Sequence, residues 1–169
     1  MRQHVSTRRG SLMMENALWV PILVALLFGM AELARVSYTY YTLHKILYGI
    51  ARLAGTQQGV NFCDGSDATV TNIKNFVLNG SIDDGAQPIL TGLSSDQIDI
   101  RIERYVADSD SLEQCDCSDT GCDAAQGGGA PDYIAVSIPD GYPIRLSFPG
   151  LTLDPIPLRP MVRVPYGGS

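Results

Sequence analysis

Residues 16–31 form sixteen consecutive positions without a single charge. Wound as a helix, such a run is apolar on every side, so it must lie in a bilayer or be covered by other helices. Arg2, Arg8 and Arg9 precede it, with no acid among the first nine residues. By the positive-inside rule the N-terminus stays in the cytoplasm and the rest of the chain passes outside. Spanning takes about 20 residues. Reaching that length means counting from Ser11 to Ala31, which draws Glu15 into the membrane. A carboxylate there costs about 2.5–3.5 kcal/mol on insertion scales, so it needs a partner. A secretory signal peptide shares the basic and apolar regions, but it ends in a small-residue cleavage site. This run ends in Glu32 and Arg35, and a helical pattern continues beyond them.

A partner for Glu15 would arise if the chain were cut after Gly10. The new α-amino group of Ser11 would meet Glu15 of a neighbouring subunit, and each charge would neutralise the other as both leave water. The order basic, glycine, small residue, glutamate, apolar run resembles the class III signal of type IV prepilins. Within that class it is most similar to the TadE-like family of Tad/Flp pilus systems. That family shows R-G-x-x-x-x-E-F-A, an apolar run with proline, then F-G, an acid and a base. The matching residues are Arg9-Gly10, Glu15, Ala17, Pro21, Phe28-Gly29, Glu32 and Arg35, with Asn16 where the family places an aromatic. The likeness covers about residues 8–56, and PLRPMVRVP resembles the family's closing strand.

The resemblance implies a minor pilin or pseudopilin, a subunit or assembly component of a pilus used in surface attachment. A membrane aspartic prepilin peptidase would cut after Gly10, where a glycine lets backbone approach closely. Other pilin subunits, the peptidase, the inner-membrane assembly platform and membrane lipid are the implied partners. The expected location is the bacterial inner membrane, single-pass with the N-terminus inside, and then the pilus at the cell surface. The competing reading is an uncleaved, signal-anchored membrane protein whose exported domain binds a ligand as an adhesin does.

Beyond the apolar run, Val36, Tyr40, Leu43, Leu47, Ile50 and Ala54 recur at spacings of four and three, the signature of one buried helical face. Gly55 and Gly59 supply the stop. The expected helix covers residues 11–57, about 70 Å at 1.5 Å per residue, with Pro21 bending it. Tyr38, Tyr40, Tyr41 and Tyr48 read as headgroup anchors and packing residues. His44 has no acid or second histidine spaced to work with it.

Residues 60–169 are expected to form the exported domain. Between Val60 and Asp140 fifteen acids face three bases, about −12 against −6 for the whole chain. Phosphate backbones repel such a surface, so nucleic acid is no partner. Cys63, Cys115, Cys117 and Cys122 all lie past the apolar run, as disulfides in an oxidising compartment do. Three pairings exist; a Cys115–Cys117 ring is very tight, which favours Cys63 bonding into the later cluster. Asp67 is a fitting cap for a short helix carrying Val70, Ile73, Phe76 and Val77, ended by Asn79-Gly80. QIDIRIERYV alternates as a half-buried strand, with Ile98, Ile100, Ile102 and Tyr105 inward, and YIAVSI is its hairpin partner. Residues 144–148 and 161–164 are weaker strands among prolines, eight of ten of which fall from Pro131 onward.

Residues 107–130 read as an acidic, disulfide-pinned surface loop. Asp116, Asp119 and Asp123 are weak calcium candidates, because their spacing does not follow an EF-hand. No triad, HExxH or P-loop occurs, so neither catalysis nor a cofactor is expected. The fold class expected is α+β, a long membrane helix packed on a small antiparallel sheet, as in pilins.

Overall fold

A computed structural model describes residues 9–82, 87–117, 125, 127–148 and 151–167, excepting the side chains of residues 9–13, 148, 151 and 152. The first element, α1, runs without interruption from Arg9 to Ala54, 46 residues or about 69 Å. Pro21 lies inside it and does not end it. The helix closes with Gly55 N–H donating to Ala51 O at 2.8 Å, followed by three-residue turns in which Thr56 N–H donates to Leu53 O and Gln57 N–H to Ala54 O, both at 3.2 Å. These satisfy carbonyls that a helix end leaves without partners.

A second helix, α2 (Ala68–Asn79), is defined by local chemistry. The Asp67 carboxylate accepts from the Thr69 and Val70 N–H groups, and Gly80 closes the helix at φ 71°. That conformation suits glycine, which has no Cβ to clash. Val70, Ile73 and Leu78 are buried, whereas Phe76 is half exposed. Leu78 completes the buried face with Val70 and Ile73, and Val77 packs half-buried beside it, so of the four apolar residues expected on this helix only Phe76 turns outward. Gly49 of α1 allows the close approach of α2, since a Cβ there would lie 3.1 Å from Val77 Cγ1.

Four strands build the main sheet: β1 (Asp99–Val106), β2 (Ser111–Gln114), β3 (Tyr133–Ser137) and β8 (Met161–Pro165), in the order β2-β1-β3-β8. Every neighbouring pair is antiparallel. Between β3 and β8 lie two small ladders, β4 (Tyr142–Ile144) with β7 (Ile156–Leu158), and β5 (Ser147–Phe148) with β6 (Leu151–Thr152). The register puts Ile100 opposite Val136 and Val136 opposite Val162; one row along, Ile102, Ile134 and Val164 align. That apolar face meets Leu43, Leu47, Ile50 and Ala54 of α1 in one core. The chain is α+β, a long helix laid on a small antiparallel sheet.

Three readings change. Tyr105 is more than half exposed, because it lies three residues after Ile102 and strand side chains alternate. The stretch read as a loop from residue 107 contains β2, which pairs with the free edge of β1. In the helical stripe Leu43, Leu47 and Ile50 are fully buried, but Val36 is half-buried and Tyr40 is 47 % exposed. The stripe outruns the domain: below Leu43 the domain no longer seals the helix face.

Candidate functional site

The N-terminal half of α1 is the feature that demands a function. Its most apolar eighteen-residue window has a mean hydropathy of 2.1 and no buried residue. Met14 is 82 % exposed and Leu27 66 %; Leu18, Trp19, Leu23 and Met30 are also exposed, on every side of the helix. At roughly 25 cal/mol per Å², leaving such a surface in water is strongly unfavourable, and apolar patches of this size mark membrane or protein contact surfaces. The helix is long and apolar enough to cross a membrane.

The predicted processing residues lie at its start. Gly10 and Ser11 fall in the first turn of α1, and Glu15 is exposed on the same helix one turn after Ser11. A cut after Gly10 would thus leave the new amine on a helix whose first carboxylate is four residues away, an i, i+4 spacing. At the other end of the uncharged run, Glu32 and Arg35 form an ion pair at 3.7 Å.

This arrangement coincides with a known family. Residues 10–52 match the family model of TadE-like proteins. The TadE-like segment is thus α1 itself, from Gly10 to within two residues of its end at Ala54. The match includes Glu15, Pro21, Phe28-Gly29, Glu32 and Arg35, and it also takes in Leu43, Leu47 and Ile50, the part of α1 on which the domain packs. No curated protein and no solved structure matches the chain.

Outside the TadE-like segment, the cysteines have a structural role. Cys63 is joined to Cys117, with a Cα separation of 5.4 Å, and Cys115 is also in a disulfide. Cys122 lies outside the described residues, as do Asp119 and Asp123. Asp116 is exposed. Among the described residues no group of three or more His, Cys, Asp or Glu side chains is placed to hold a metal. His44 is exposed, with Tyr40 its ring neighbour at 6.5 Å.

Two features escaped the sequence reading. The sheet face turned away from α1 carries cross-strand charges: Arg163 donates from Nη2 to Glu103 Oε1 at 2.9 Å, and Arg101 pairs with Asp99 and donates to Gln114. Arg101 and Arg163 both lie opposite Ala135, which is buried between them. The signal was alternation along β1, where Asp99, Arg101 and Glu103 occupy the odd positions. The second feature is a row of tyrosine and basic residues on α1. It shows only when the helix is read on the side opposite the apolar stripe.

Proposed function

We propose that this chain is a minor pilin or pseudopilin of a Tad-type type IV pilus. In this reading residues 1–10 are a cytoplasmic leader, residues 11–57 the membrane and filament helix, and residues 60–169 the exported domain. The single observation that carries it is the family match to an α1 whose first half is uncovered on all sides. Such a helix suits lipid before assembly and a bundle of like helices after it, because both surroundings are apolar. The acidic, disulfide-bonded domain fits an oxidising exterior. The role is structural rather than catalytic.

Glu15 and Ser11 supply the register under this proposal. Once the leader is removed, the Ser11 amine of one subunit and Glu15 of its neighbour form a charge pair inside the helical bundle. The partners are other pilin subunits, a prepilin peptidase and the inner-membrane assembly platform. Mass spectrometry of the protein recovered from sheared filaments should find an N-terminus at Ser11. Glu15→Ala should insert into membranes normally and be missing from filaments. Filaments that contain Glu15→Ala at wild-type levels would remove the register role.

Asn16 is the observation favouring a second reading, because the family pattern places an aromatic directly after the glutamate. An uncut, signal-anchored adhesin would keep Met1 in every membrane-bound copy. The same N-terminal mass decides between the two.

A further inference from the structure

Past the apolar run, α1 carries a second stripe. Tyr38, Tyr41, Lys45, Tyr48 and Arg52 follow one another at spacings of three, four, three and four, and all five are exposed. With 3.6 residues per turn they lie about half a turn around the helix from Leu43, Leu47 and Ile50. They form the exposed flank of α1; Tyr38, Tyr41 and Lys45 border a hollow closed on its far side by Val77 and Ile89, while Tyr48 and Arg52 lie outside it. Tyr38 and Tyr41 are 72 % and 71 % exposed, and Tyr48 is 48 % exposed. Between Glu32 and Thr56 the helix has Arg35, Lys45 and Arg52 and no acid, in a chain whose exported domain is strongly acidic.

Lipid accounts for only the lower part of this face. If the hydrocarbon layer ends near Arg35, Tyr38 rises about 5 Å above it and lies in the headgroup layer, which is about 5–7 Å deep. Lys45, Tyr48 and Arg52 then stand about 15, 20 and 26 Å above the hydrocarbon, beyond the lipid. A partner suited to them would carry negative charge and leave room for aromatic rings.

We infer that the Tyr48–Lys45–Arg52 face receives the acidic β1–β2 hairpin of a second copy of this chain. The fold places that hairpin at the opposite end of the molecule from the apolar run. Gly167 N–H donates to Gly55 O at 2.9 Å and Tyr166 Oη to Gln57 O at 2.7 Å, so β8 ends beside the end of α1. Pro165 pairs with Tyr133, and Tyr133 with Glu103. From Glu103, β1 continues three residues outward, about 10 Å, to a turn carrying Asp108 and Asp110. Those acids and Glu113 are exposed. A contact from the outer tip of one copy to the inner flank of the next uses two different surfaces. Such a contact does not close on itself and propagates into a chain of subunits.

The stripe from Tyr38 to Arg52 is about 21 Å long and one helix wide, on the order of 200 Å². A stable interface of standard size needs about 800 Å² from each partner. The contact therefore sets the offset between copies, while their apolar helices supply most of the affinity. It deepens the filament proposal and rests on it for the stagger of copies: the hairpin tip stands about 20 Å farther out than Tyr48, so the contact joins axially offset copies in a filament.

The test uses the full chain in assembled filaments, with a benzophenone amino acid replacing Tyr48 and crosslinked peptides read by mass spectrometry. The expected product joins position 48 to the segment around residues 105–114 of another copy. Lys45→Glu with Arg52→Glu should lower its yield about fivefold or more. Supplying Asp108→Lys with Glu113→Lys in the second copy should restore most of it. This rescue excludes misfolding as the cause of the loss. Crosslinks to lipid, to another face of the domain or to other proteins would overturn the contact, as would a yield insensitive to either charge reversal. The N-terminal mass is read on the same samples, so failure of the hairpin contact and failure of the processed-pilin reading are told apart.

Discussion

Lys74 of α2 is half-buried, and burial pushes its amine below the ordinary lysine value, with Asp99 and Asp96 pulling the other way. The sign follows from linkage. Below the folded pKa both states hold the proton, and the folded state carries the cost of burying it. Between the folded pKa and 10.5 the unfolded chain binds more protons, so stability rises with pH. Above 10.5 that cost is gone. Lys74→Met should therefore raise the melting temperature of the domain near neutral pH by about 1–3 °C. Its advantage should shrink as the buffer approaches pH 10. A melting temperature lower than wild type at pH 7 would mean that the attraction to the two aspartates outweighs burial. Residue chemistry of the local kind was legible from sequence: Asp67 caps α2 and Gly80 ends it, because both act within four positions of themselves. Tyr105 was not, since its side depends on strand parity that aromatic content obscures.

At the scale of elements, the disulfide fastens two pieces that share little packing. Cys63 lies in the loop before α2, and Cys117 follows edge strand β2, 54 residues later. Only Leu112 of the four β2 side chains is even half-buried. Its attachment therefore rests on the ladder to β1 and on the covalent link. Closing a loop of this length restricts the unfolded chain by about 4 kcal/mol in the chain-entropy view. Cys63→Ser with Cys117→Ser should lower the unfolding free energy of the domain by about 2–4 kcal/mol while leaving the helical signal of α1 in place. Denaturation with unchanged midpoint and slope would assign the link no stabilising role. The central strands were visible in sequence because Ile98, Ile100 and Ile102 alternate with polar residues. Strand β2 was hidden: Ser-Leu-Glu-Gln has one apolar position and becomes a strand through pairing, not through pattern. The same limit applied to Tyr40. Periodicity identified its stripe, but only the fold shows where the domain stops covering it.

On the scale of the whole molecule, α1 is one helix with two surroundings, and the boundary between them lies near Val36. Above it, Leu43, Ile46, Leu47, Ile50, Ala51 and Ala54 form the floor of the domain, each 4 % exposed or less. Below it, no described residue covers the apolar run. The domain therefore depends on the second part of the helix and not on the first. A chain starting at Val36 keeps every one of these core residues and loses the surface that water rejects. It should be soluble and fold cooperatively, with the Cys63–Cys117 link formed in an oxidising host. A chain starting at Ile50 loses Leu43, Ile46 and Leu47 together. Removing one such leucine side chain costs about 2–5 kcal/mol. Small domains hold only about 5–15 kcal/mol in all, so the shorter chain should not fold. Circular dichroism melts of the two truncations test the division. A cooperative transition in the chain starting at Ile50 would show that the sheet and α2 suffice, and that α1 is a tether rather than part of the core.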